Sequence, residues 1–92
     1  MRIIGEIPHL RLKITVFQMN EKLSIKLEDG LLEQIYKFRK GEGIELLEDA
    51  KRFCTPTFLQ SVESIFRAMN ENRFKNLTPS ASASDNEFDQ II

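Results

Sequence analysis

The 92-residue chain is 41% hydrophobic and 29% charged and holds 7 Phe, a composition that excludes a disordered polymer and fits one small folded domain. Its single cysteine, Cys54, excludes an internal disulfide scaffold, and no run approaches the ~20 apolar residues of a membrane-spanning helix. Net charge is −1, but residues 1–41 carry 8 Lys/Arg against 5 Asp/Glu and residues 42–92 carry 5 against 9, so the halves stand at +3 and −4.

The opening Met1-Arg2-Ile3-Ile4-Gly5-Glu6 lacks the apolar run of a signal peptide, so a reducing, cytoplasmic compartment is expected. Arg2 to Ile7 suits a short strand, ended or bulged at Pro8, whose nitrogen has no hydrogen to donate to a ladder. From Leu10 to Gln18 the pattern has a period of two. Leu10, Leu12, Ile14, Val16 and Gln18 fall on one side, and Arg11, Lys13, Thr15 and Phe17 on the other.

With Met19-Asn20-Glu21-Lys22 as the loop, Gln18 faces Leu23, Val16 faces Ile25, Ile14 faces Leu27 and Lys13 meets Glu28. Asp29-Gly30 then reads as a two-residue hairpin turn, which pairs Leu27 with Leu32, Ile25 with Gln34, Leu23 with Tyr36 and Lys26 with Glu33. A rival reading makes residues 31–39 helical, because Leu31, Leu32, Ile35 and Tyr36 also fit a period of 3.6.

After Gly41-Glu42-Gly43 the helical period takes over. Ile44, Leu46, Leu47, Ala50 and Phe53 mark one to three turns, with Glu45, Glu48 and Asp49 early and Lys51 and Arg52 late, as the helix dipole favours. Thr55-Pro56 has the form of an N-cap followed by proline at the first helical position. From there Phe58, Leu59, Val62, Ile65, Phe66, Met69 and Phe74 trace a stripe along a helix of roughly 20 residues. From residue 78 the composition turns to "TPSASASDNEFDQII", read as a disordered acidic C-terminal tail over 78–92. The expected fold over residues 1–77 is a single small α+β domain: a three- to four-stranded antiparallel β-meander with one face covered by a short and a long C-terminal helix.

Signals for chemistry are sparse. His9 is the one histidine, read as a surface or turn residue, and Cys54 has neither a CxxC partner nor a neighbouring histidine, so it reads as an inert thiol. Zinc needs a ligand cluster the chain lacks, and Glu45, Glu48 and Asp49 are explained by a solvated helix start without a magnesium ion. Four scattered glycines make no phosphate loop. No catalytic, cofactor-binding or metal residues are therefore assigned.

The outward sheet face remains. Thr15 and Phe17 on one strand, Lys22, Ser24 and Lys26 on the next, and Ile35 and Lys37 on the third form the candidate interaction surface, with Phe17 and Ile35 closing over the small Ser24. A domain this small buries only roughly 60–65% of its unfolded surface, so covering that patch with a second copy adds stability. The expectation is a small non-enzymatic binding or accessory protein, homodimeric or bound to an unidentified protein partner, with no membrane association. Nucleic-acid binding through the basic side of the sheet is the alternative, weakened by Glu28 and Glu33 beside Lys13 and Lys26. Phe88, Ile91 and Ile92, set among Asp85, Glu87 and Asp89, are a second candidate, a docking peptide in the tail.

Overall fold

A computed structural model describes residues 1–77 of the chain. Strands β1 (Arg2–Ile7), β2 (Lys13–Met19), β3 (Lys22–Asp29) and β4 (Leu32–Phe38) precede helices α1 (Leu47–Phe53) and α2 (Pro56–Asn76). The strands form one antiparallel sheet in the order β1-β2-β3-β4, with both helices on a single face, an α+β fold. The alternative of a helix over 31–39 is overturned by β4, which pairs along its whole length with β3.

The β2–β3 register is the expected one, with Lys13 opposite Glu28, Val16 opposite Ile25 and Gln18 opposite Leu23. Its turn closes on Asn20 and Glu21, both at positive φ (+52° and +66°), the type I′ pattern whose twist matches the strands. The expected strand start at Leu10 is corrected. Leu10 is fully exposed, and Arg11 precedes the ladder. The cause is His9, whose Nδ1 accepts hydrogen bonds from the amides of Arg11 and Leu12, both at 3.1 Å, and so curls the chain after Pro8.

The second hairpin is corrected by two residues. Gly30 (φ +61°) takes the first central position of the turn and Leu31 the second, the pattern of a type II′ turn. Asp29 therefore pairs with Leu32, Leu27 with Gln34, Ile25 with Tyr36 and Leu23 with Phe38. A shift of two keeps every side chain on its expected face, since a strand's period is two. What changes is the neighbours: Ile35 lies opposite Lys26, Lys37 opposite Ser24, and Glu33 opposite Glu28 instead of Lys26.

Strand β1 ends just before Pro8 and carries a bulge between Ile3 and Gly5, so that Ile3 pairs with Phe17 and Gly5 with Val16. Glycine at position 5 leaves room for the Leu47 side chain. A Cβ there would meet Leu47 Cδ2 at 2.7 Å, because α1 packs directly on this strand.

Helix α1 starts three residues later than its apolar pattern suggests. Asp49 Oδ2 reaches back to the amides of Leu46 (2.9 Å) and Glu45 (3.1 Å), closing the N-terminus at Leu46. Glu45 accepts from the Gly41 amide at 3.1 Å and Glu42 from the Arg39 amide at 2.7 Å, so two connector carboxylates brace the turn after β4. Helix α2 begins as read: Thr55 Oγ1 accepts from the Phe58 amide at 3.1 Å, and Pro56 opens the first turn.

The core lies between sheet and helices. Ile14, Val16, Leu23, Ile25 and Leu27 meet Ala50, Cys54, Val62 and Phe66 there, and all nine side chains are buried. At its edge Tyr36, Phe58, Phe53 and Phe38 make a chain of edge-on and tilted rings with centroids 4.7–5.2 Å apart. Gln34 is buried beside them. Its Nε2 donates to the Val62 carbonyl (3.0 Å) and its Oε1 accepts from the Tyr36 hydroxyl (2.6 Å), pinning α2 to β4.

These contacts also fix direction. Phe58 meets Tyr36 and Val62 meets Gln34, so α2 runs antiparallel to β4, towards the Gly30–Leu31 turn. Beyond Phe66 the helix outruns the sheet: Met69 is half-buried, whereas Phe74 and Leu77 are exposed at 79% and 52%. The apolar stripe expected to reach Phe74 thus loses its partner surface about two turns earlier.

Candidate functional site

With both helices on one side, the other face of the sheet is left uncovered by the described residues. The registers place Lys13, Thr15, Phe17 and Met19 of β2 there, beside Lys22, Ser24, Lys26 and Glu28 of β3 and Glu33, Ile35 and Lys37 of β4. Strand β1 adds Ile3 and Glu6, which pair with Phe17 and Thr15.

Thr15 is corrected as a surface residue. It retains 3% exposure, because its strand is flanked on both sides and the longer Glu6 and Lys26 side chains are its cross-strand neighbours. The rest of the expected surface comes together. Phe17, Ser24, Lys26, Ile35 and Lys37 line a shallow groove of about 270 Å³, which Met1, Met19 and Glu33 complete. Lys22 lies beside it, in an adjoining depression with Met19, Ser24 and Lys37. Phe88, Ile91 and Ile92 lie outside the described residues, as does the whole proposed tail.

The groove is an apolar floor with a basic margin. Ser24 opposite Phe17 leaves room above its short side chain, and Phe17 is half-buried there. Ile35 and Met19 are each 51% exposed, Ile3 61% and Met1 82%. The Lys26 ammonium hangs over the Phe17 ring, 5.3 Å from its centroid, and lies 3.9 Å from Glu28 Oε1. Attraction to the ring's negative face and to the carboxylate holds it along the groove wall. Among the described residues, Lys22, Lys26 and Lys37 share this face with Glu28 and Glu33, an excess of one positive charge among these five groups.

Three contributors were not legible beforehand. Met19 falls in the expected loop, and the facing of Met1 and Ile3 depends on the β1 bulge, which reverses the alternation and leaves no mark in sequence.

The remaining polar clusters have structural work. His9 closes its turn through Nδ1, and its Nε2 points towards Glu63 at 3.9 Å. Asp49 is held below the usual carboxylate range by the Glu45 and Leu46 amides and by Arg52, which it also bonds. Burial pushes the Cys54 thiol up to about 11, so it carries no thiolate at neutral pH. Among the described residues, no three His, Cys, Asp or Glu side chains converge as a metal would require, and no helix is long and apolar enough to cross a membrane. Compared with protein-family models, curated proteins and solved structures, the chain matches none.

Proposed function

We propose that this chain is a small non-enzymatic binding or accessory module that works through protein–protein contact on the open face of its sheet and associates with itself. The observation that carries the reading is the cluster of Met1, Ile3, Phe17, Met19 and Ile35 at one end of that face, ringed by Lys22, Lys26 and Lys37. An apolar centre with a charged margin is the make-up of an interface, and isolated surface hydrophobes do not cluster this way.

Nucleic-acid binding fares worse on the same geometry. A base stacking on Phe17 would have to displace Lys26, which is already drawn to the ring and to Glu28.

Light scattering against concentration tests the proposal. The expected mass is twice the 10.7 kDa of one chain at micromolar concentration, and Phe17→Lys or Ile35→Lys should return it to one chain without loss of secondary structure by circular dichroism. A single-chain mass at every accessible concentration removes self-association.

A further inference from the structure

We propose that His9 is a proton-operated latch in the connection from β1 to β2. Its neutral ring closes the turn on the chain's own backbone, and its protonated ring releases that turn and pairs with Glu63 of α2. The ring has a different neighbour on each nitrogen. Nδ1 accepts from the Arg11 and Leu12 amides, both at 3.1 Å, and Nε2 lies 3.9 Å from Glu63 Oε2.

The two amides fix the state of the ring in the closed turn. Because both N–H groups donate, Nδ1 supplies the lone pair, and the neutral ring carries its proton on Nε2, the nitrogen turned to Glu63. In the imidazolium form both nitrogens are donors. A proton on Nδ1 would face two N–H groups with no acceptor between them, so the closed turn and the charged ring exclude each other.

Glu63 gives the charged ring a second place to go. It is the carboxylate that α2 brings to His9, and Pro56, Leu59 and Gln60, which line the same shallow depression, are uncharged. Arg67, one turn further along α2, bonds Ser64 instead. Arg11 and Lys13 are exposed, and Glu6 lies beside Thr15 on the other face of the sheet. The His9 and Glu63 side chains keep 19% and 30% of their surface, so solvent only partly screens them and a positive ring gains by closing the gap.

Release of the turn stays local. Leu10 is fully exposed and Arg11 is exposed, whereas Leu12 is anchored in the core and the ladder begins at Lys13, with Ile7 opposite Ile14. Residues 9–11 can therefore rearrange between two fixed ends.

Nuclear magnetic resonance on the full-length chain across about pH 5–8, the range in which imidazoles titrate and ordinary carboxylates do not, tests the latch. The chain has 1 histidine, so the ring signal is unambiguous. At the upper end the ring nitrogen shifts should report a proton on Nε2 alone. As the ring gains its second proton, the Arg11 and Leu12 amides and the Glu63 carboxyl carbon should shift in step with it. Protection of both amides from solvent exchange, corrected for pH, should fall at least about fivefold, the loss expected for one hydrogen bond each. His9→Asn keeps an acceptor, Oδ1, close to the place of Nδ1 but cannot be protonated in this range, so both amides should hold still. A ring that gains its second proton while the two amides stay protected overturns the latch, as does a ring that stays neutral throughout. The same amide changes persisting in His9→Asn would overturn it too, and a Glu63 carboxyl that does not respond overturns the pairing.

Discussion

Replacing Gln34 by Met tests whether the pin between β4 and α2 matters energetically. The swap keeps length and volume but removes the bond to the Val62 carbonyl and the acceptor of the Tyr36 hydroxyl. The Val62 carbonyl keeps its own helical partner, and Tyr36 is only half-buried, so its hydroxyl can turn to water. At ~1 kcal/mol net for each lost bond, partly offset by the added apolar burial, Gln34→Met should destabilise by ~1–2 kcal/mol and Tyr36→Phe by ~1 kcal/mol. Because the two share one bond, Tyr36→Phe should change little once Gln34 is gone, giving a coupling of ~1 kcal/mol in a double-mutant cycle. Urea unfolding reads the cycle directly, and thermal melts should fall by ~4–8 °C per kcal/mol for a chain of this size. A coupling below ~0.3 kcal/mol, with Gln34→Met as stable as wild type, would show that the contact is incidental and that α2 is held by Val62 and Phe66 alone.

Three further outcomes follow from packing and titration. Gly5→Ala should destabilise by ~1–3 kcal/mol through overlap with Leu47, and Leu47→Ala should be less harmful in that background than alone; additive effects in urea would contradict the contact. Cys54 should resist a thiol reagent at neutral pH until the protein unfolds. Since its folded-state pKa of about 11 lies above the ordinary 9.0, its contribution to stability should be full below pH 9 and fall away as the pH climbs towards 11; prompt stoichiometric labelling of the native protein would refute this. Asp49, with its pKa depressed by the Glu45 and Leu46 amides and Arg52, should stabilise the fold above pH 3.8 and lose that effect as the pH falls further, so the melting difference between wild type and Asp49→Asn should close in acid.

The parts of the fold legible in the sequence are those set by period and by local chemistry. Alternation from Leu12 to Leu27 gave the buried face of β2 and β3 and their register, and Thr55-Pro56 gave the start of α2. The β3–β4 register slipped by two because Asp29-Gly30 suits a type I′ turn, whereas the chain seats Gly30 first and Leu31 second. Hydrophobic facing cannot detect such a slip, since it leaves every core residue in place. It does change the candidate site, moving Ile35 from beside Ser24 to beside Lys26. The outward positions of Met1 and Ile3, and the point where α2 leaves the sheet, depend on a bulge and on relative lengths, which are tertiary facts.

That the strands pair strictly in chain order has a consequence for synthesis. Each hairpin closes a short loop, so the sheet can form quickly and without waiting for distant sequence. Yet Val16, Ile25 and Leu27 depend for their cover on Val62 and Phe66, which the ribosome adds later. Until those helical residues dock, the sheet has one apolar side bare, the kind of surface through which partly folded chains associate with one another.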